Sequence, residues 1–392
     1  MKIAIITNSS NYEPRVHMAA DFFTEHGHEV FLVLSDFIHR EKLKGRTAPE
    51  GDQAERAAFI DTIPYKRNLS LRRMYSHYDF SKKAYTYIKD KDFDLIYVLI
   101  PANSLAKYMT LYKKKYKKRL VIDILDLWPE SFPLDFVKNI WPVTGWAALR
   151  NKYLKYADLI ITECNLYQSK LREYFGDVPA VTVYWPREAE EPGETAFLEG
   201  EAGEAHEQVR LCYLGSINNI IDIDYMVKLL TCIQKYKQVK LHIIGDGEKK
   251  DELLEKLKTA GISAVFHGSV YEEAEKMKVL HSCDYGLNIM KPSVCVGVTM
   301  KSVDYMYAGL KLINNIQGDT WQLIEKYGIG YNCCLENAET AAEKIAGETV
   351  RKEDKAAVRQ CYRENFSGDA YGKAMGECLG IIEEAAERAE SN

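Results

Sequence analysis

The chain is 392 residues long, 46% hydrophobic and 28% charged, with a formal net charge of −5. This is the composition of a globular protein, long enough for two domains because single cores rarely grow past about 250–300 residues, and too close to neutral for charge to name a partner. No stretch approaches the roughly 18 consecutive apolar residues of a membrane helix, the opening MKIAIITNSSNYEPR has too short an apolar run for a secretory leader, and nine scattered cysteines without zinc-ligand spacing read as reduced thiols of a cytoplasmic protein.

In chain order, the run KIAIIT (2–7) predicts a strand, and Arg15–His26 a helix with Val16, Ala19, Ala20 and Phe23 at helical spacing. Gly27 stops that helix, and EVFLVLS (29–35) is the next strand. Strand, helix and strand joined by short loops make a βαβ unit with a parallel pairing. The pattern repeats with DLIYVLI (94–100), RLVIDIL (119–125) and ADLIITE (157–163), runs with little polar alternation, as expected when helices cover both sheet faces. The stretch 40–68 is too irregular to read. Glu188–Glu207 then carries eight glutamates and no Lys or Arg, and predicts a solvated linker. Strands resume with VRLCYLGS (209–216), KLHIIGDGE (240–248), AVFHGSV (264–270), DYGLNIM (284–290) and LKLINNI (310–316), and Gly368–Arg388 predicts an amphipathic helix. The expected fold is α/β, with two doubly wound Rossmann-like domains facing a central cleft: 1–187, a linker over 188–208, a second domain over 209–367, and a C-terminal helix, 368–392, packing back on the first domain. Ligands in such folds bind beyond the carboxyl ends of the strands.

Gly245-Asp246-Gly247 ends a strand before a helix, where glycines let backbone N–H groups approach an anion; a plain strand-to-helix turn explains it equally well. The order of pieces says more. After GDGE come VFHGSV, HSCDYGLNIMKPS, GVTMKSVDYMYAGLKLI and YGIGYN, and in the first half NYEPRVHMAADFFTEHGHEV and DILDLWPESFP. Over almost its whole length the sequence resembles the retaining GT-B glycosyltransferases, family 4-like, of a bacterial polysaccharide or glycolipid branch.

The resemblance implies transfer of a sugar from a nucleotide diphosphate-sugar, UDP-linked, to a glycan or lipid-linked acceptor, with retention, no cofactor and no bound metal. It makes Asp304 the carboxylate that accepts hydrogen bonds from the ribose diol. Gly215, Ser216, Gly245, Gly247, His267, Gly268, Gly297, Val298 and Thr299 are expected around the donor. Lys301, one helical turn before Asp304, either neutralises phosphate or fixes Asp304. Val296 stands where many relatives carry a first carboxylate, and their basic pair after the first strand of the second domain is missing, Ser216 replacing Arg. On the acceptor side, Asp126 or Glu130 orients or deprotonates a hydroxyl, unless Asp126 caps a turn. Arg15, with Asn8 and Ser9, is expected to meet a donor or acceptor phosphate.

Residues 65–119 hold fifteen Lys or Arg against four Asp, interleaved with tyrosines in KYMTLYKKKYKKRL. That surface either meets an anionic membrane, placing the protein at the inner face of the cell membrane, or is a solvated helix end. No nucleic-acid motif is visible. Two other readings stay open: a non-catalytic GT-B paralogue serving as a scaffold, favoured by Val296 and the missing basic pair, and a GT-B nucleotide-sugar epimerase.

Overall fold

The computed structural model describes residues 1–38, 41–46, 56–67, 70–131, 140–187 and 207–390. Residues 188–206 of the acidic stretch, and Phe132 and Pro133 of DILDLWPESFP, lie outside the described residues. The chain divides into two compact units, Met1–Trp185 with Tyr371–Asn392, and Pro186–Ala370.

The first unit is a seven-stranded parallel sheet. Its strands are β1 (Lys2–Ile6), β2 (Glu29–Ser35), β3 (Ala57–Ile60), β4 (Leu95–Ile100), β5 (Arg119–Ile124), β6 (Leu159–Thr162) and β7 (Ala180–Thr182), in the order β3-β2-β1-β4-β5-β6-β7. All six residues of β4, LIYVLI, are buried, each full burial of such a side chain contributing roughly 1.5–3 kcal/mol. The C-terminal helix Gly368–Glu390 sets Tyr371, Met375, Cys378, Leu379 and Ile382 into this core, against β1, β4, β5 and the helix Glu13–Glu25. The strand order reverses between β1 and β4, which makes their carboxyl ends the topological switch point.

The second unit is a six-stranded parallel sheet: β8 (Gln208–Leu214), β9 (Gln238–Ile244), β10 (Ser263–Gly268), β11 (Tyr285–Asn288), β12 (Lys311–Asn314) and β13 (Gly330–Asn332), ordered β10-β9-β8-β11-β12-β13. Its switch point lies between β8 and β11. The helix Ile223–Gln234 packs its Met226, Leu229, Leu230 and Ile233 against the β8 and β9 residues Leu211, Tyr213, Leu241 and Ile243. Asp222 caps it, accepting from the Tyr225 N–H at 3.0 Å. No helix among the described residues is long and apolar enough to cross a membrane.

Candidate functional site

In the second unit, three loops interlock where β8, β9 and β10 end. The Gly215 N–H donates to the Ile244 carbonyl (2.9 Å), the Ile217 N–H to Asp246 (2.9 Å) and the Gly245 N–H to Gly268 (2.7 Å). A Cβ on Gly245 would stand 2.0 Å from the Gly215 carbonyl oxygen, and one on Gly247 2.3 Å from that of Ile217. Both have positive φ, 139° and 157°. Their glycine identity is therefore required by backbone packing against backbone. That requirement stands whether or not an anion approaches.

The helix Met300–Ala308 starts beside this knot. Tyr305 fixes its rotation: the phenol donates to the Leu287 carbonyl (3.3 Å) and accepts from the Leu214 N–H (2.7 Å). Its ring fills the space a side chain at Gly286 would need, 2.3 Å from a Cβ there. The helix start is anchored by groups the sequence did not flag. Asn288, Asn314 and Asn332 stand in register at the ends of β11, β12 and β13 and pass amide hydrogen bonds along the row, 2.9 Å each. Thr299 closes the row, donating to Asn288 Oδ1 (3.0 Å) while capping the helix by accepting from the Ser302 N–H (3.2 Å). The Gly297 carbonyl accepts from both Thr320 N–H and its hydroxyl. Thr299 and Gly297, expected to face a phosphate, spend these side-chain and carbonyl groups on holding the helix. Val298 lies between them.

That fixing aims two side chains. Lys301, in the first turn, runs past Gly215, its Cε 3.8 Å from where a Cβ would stand. Its ammonium reaches the Tyr213 hydroxyl (3.3 Å) and lies 4.4 Å from the Tyr213 ring centroid; that hydroxyl donates to the Ser216 carbonyl (2.9 Å). Among the described residues no carboxylate pairs with Lys301, and burial pushes its pKa down to about 8. One turn on, Asp304 accepts from Arg187 Nε (2.8 Å), with the Lys276 ammonium at 3.6 Å. Lys301 therefore does not fix Asp304; Arg187 does. His267, expected near a base pocket, is stacked on His242 across β9 and β10, ring centroids 5.3 Å apart and Nδ1 of His242 3.0 Å from Nε2 of His267. Burial lowers both pKa values, His242 to about 4, so this pair is neutral at pH 7. Gly268 and the exposed Ser216 sit at the loop ends.

In the first unit, Asn8 and Ser9 follow β1 and are buried, and the Asn8 side-chain oxygen has no partner among the described residues. Asp126 follows β5. It accepts from the Ser131 hydroxyl (2.9 Å) and the Tyr12 hydroxyl (3.4 Å), and burial raises its carboxyl above the usual range. One expectation is corrected. Arg15 is 1% exposed and makes a bidentate ion pair with the fully buried Asp123 (2.9 and 3.1 Å), donating also to the Val183 carbonyl. Tyr97 adds a third hydrogen bond to Asp123 (2.6 Å). A guanidinium so enclosed is a core element and meets no phosphate. Glu130 Oε1 is tied to the buried Arg150, which also donates to the Trp128 carbonyl (3.1 Å), and Oε2 has no partner among the described residues.

The basic region 65–119 spreads over the helices Leu71–Ile88 and Ser104–Tyr116 and their flanks. Part of its charge is met from outside that span: Lys83, paired with Asp79 within it (2.7 Å), also bridges Asp61 (3.0 Å), Lys113 pairs with Asp158 (2.6 Å), and the Lys114 ammonium sits 3.4 Å from the Tyr156 ring centroid.

Residues 208–347 match the family described as glycosyl transferases group 1. No curated protein is matched by sequence. Among solved structures, the chain is similar to a sucrose-phosphate synthase from Thermosynechococcus elongatus, with a TM-score of 0.69 and 12% identity over 98% of this chain and 100% of the other. It is also similar to the lipopolysaccharide outer core galactosyltransferase WaaB (0.67, 14%, 97% and 99%) and to Anabaena HepE in complex with UDP (0.65, 13%, 97% and 100%). The two parallel-sheet units and these likenesses establish the GT-B fold. The glycosyl transferases group 1 match over 208–347 supports a glycosyltransferase activity for the second unit's fold.

Proposed function

We propose that the chain transfers a hexose from a UDP-linked donor to a glycan or lipid-linked acceptor, with retention, in surface polysaccharide or glycolipid assembly at the inner face of the cell membrane. One observation carries the donor side: Lys301 and Asp304 project one turn apart from a rigidly anchored helix at the switch point of the matched domain. The half-buried ammonium of Lys301 has no carboxylate partner among the described residues, as suits a group kept for a diphosphate. It supplies from the helix the charge that the missing basic pair would give, and a leaving diphosphate needs such a charge. Asp304 receives the ribose diol, and the loop ends at Gly215, Ser216 and Gly268 line the same strand edge. HepE has been solved with UDP and with UDP-glucose, which favours uridine as the base.

On the acceptor side, Asp126 is the carboxylate we assign to orient the attacking hydroxyl, with Tyr12 and Ser131 holding it and Asn8 and Ser9 nearby in sequence order after β1. The chemistry assigned here uses no metal. The basic helices of residues 65–119 would meet anionic lipid headgroups.

Incubation with UDP-, GDP-, ADP- and CMP-sugars, followed by nucleotide release and product NMR, tests the reading. Release from one UDP-sugar, accelerated by an acceptor glycan and lost in Lys301→Ala and Asp304→Ala, is the expected result. Conversion to an epimeric nucleotide sugar without acceptor, or no turnover of any donor by folded protein, would overturn it.

A further inference from the structure

We propose that Arg187 is a positioning residue for the donor: it holds one oxygen of Asp304 from behind, so that the other oxygen is aimed to accept a ribose hydroxyl. The inference rests on the reading of Asp304 as the ribose carboxylate. Arg187 belongs to none of the motifs that carry the resemblance.

Its side chain is 7% exposed, with its guanidinium carbon 3.8 Å from the Tyr307 ring centroid. Nε donates to Asp304 Oδ1 (2.8 Å), Nη2 pairs with Glu273, and the backbone N–H donates to the Phe366 carbonyl (3.3 Å). Lys276 completes the cluster, 2.8 Å from Glu273 and 3.6 Å from Asp304 Oδ1. Two cations and two carboxylates thus balance. Both cations lie on Oδ1; among the described residues no bond is made to Oδ2, and Asp304 keeps 20% side-chain exposure. Arg187 Nη1 is buried with no hydrogen-bond partner among the described residues.

A hydroxyl suits the Asp304 oxygen left without a partner, since it donates to a carboxylate, whereas a phosphate would be repelled by Asp304 and Glu273. A sugar diol is the ligand chemistry that this pair selects. The aromatic face under the guanidinium fixes its plane, a role a lysine fills poorly.

The test is the affinity ratio between UDP and its 2′-deoxy and 3′-deoxy analogues, measured by calorimetry; GDP and its deoxy analogues serve if UDP does not bind. In the wild type, loss of the gripped hydroxyl should weaken binding roughly tenfold or more, as expected for a hydrogen bond to a charged group. Arg187→Ala should reduce that ratio to the value found for Asp304→Ala, while the ratio between UDP and UMP, which reports on phosphate contacts, stays at the wild-type value. Arg187→Lys should fall between, and serves if the alanine variant does not fold. Full hydroxyl discrimination in the Arg187 variants, or a loss of affinity equal for UDP and its deoxy analogues, overturns the proposal. A wild type that binds UDP with no discrimination at either hydroxyl instead removes the ribose role of Asp304, and no binding of any nucleoside diphosphate removes the donor site itself; this inference falls with either.

Discussion

Arg15 and Lys301 look alike in the sequence: each is a cation in the opening turns of a helix near the carboxyl end of a parallel strand. The structure separates them completely. Arg15 lies in the core of the first unit with both faces of its fork on Asp123, whereas Lys301 reaches no carboxylate among the described residues and leans on a tyrosine. A cation that is already neutralised is part of the fold. One that is desolvated without a counter-ion costs stability, and is retained where a ligand supplies the missing charge.

Arg15→Ala leaves Asp123 charged and buried, and should destabilise the first unit by about 3–5 kcal/mol in urea unfolding. Lys301→Ala should leave the unfolding midpoint unchanged or raise it. The carboxylates differ in the same way: Asp123 is fully paired, and among the described residues Asp126 is held by hydroxyls. Asp126→Asn should cut transfer on the order of 10²-fold, the low end for general base catalysis, without lowering the melting temperature. Because burial raises the Asp126 carboxyl, the wild-type rate should climb as pH rises through that elevated pKa, and the climb should vanish in the variant. If Asp126→Asn unfolds the protein, Asp126 is a core group like Asp123.

A smaller effect falls on binding. Lys301→Ala should weaken UDP roughly 10- to 100-fold while leaving uridine nearly unaffected, since a charge-assisted contact to phosphate is lost. The smallest is proton linkage. With a free-protein pKa of about 8, Lys301 is half protonated at pH 8, and a bound diphosphate raises that pKa. Binding at pH 8 should therefore take up about half a proton, read from calorimetry in buffers of different ionisation enthalpy. Affinity should fall as pH rises from 7 to 9. Zero uptake in the wild type, or equal uptake in Lys301→Ala, contradicts the assignment.

The buried central strands were legible because continuous apolar runs such as LIYVLI have one reading once helices flank them. Ala57–Ile60, Ala180–Thr182 and Gly330–Asn332 were not read as strands. All three are edge strands of three or four residues, half exposed, with no run long enough to show a pattern. The order of motifs pointed to the donor-side helix, since Lys301 and Asp304 are local to it. What escaped was whatever depends on register or distant partners. The asparagine row exists only because β11, β12 and β13 align, and Arg187 meets Asp304 from 117 positions away. Arg15 was misread for the same reason: its partner, Asp123, is invisible to local spacing.

The donor site is tested by a calorimetric titration of UDP into the wild type, Lys301→Ala and Asp304→Ala, with uridine as control. The wild type should bind UDP well and uridine much more weakly, and both variants should lose affinity while keeping their fold. Failure of UDP and the other nucleoside diphosphates to bind folded wild type, or binding that neither substitution weakens, would contradict the donor site.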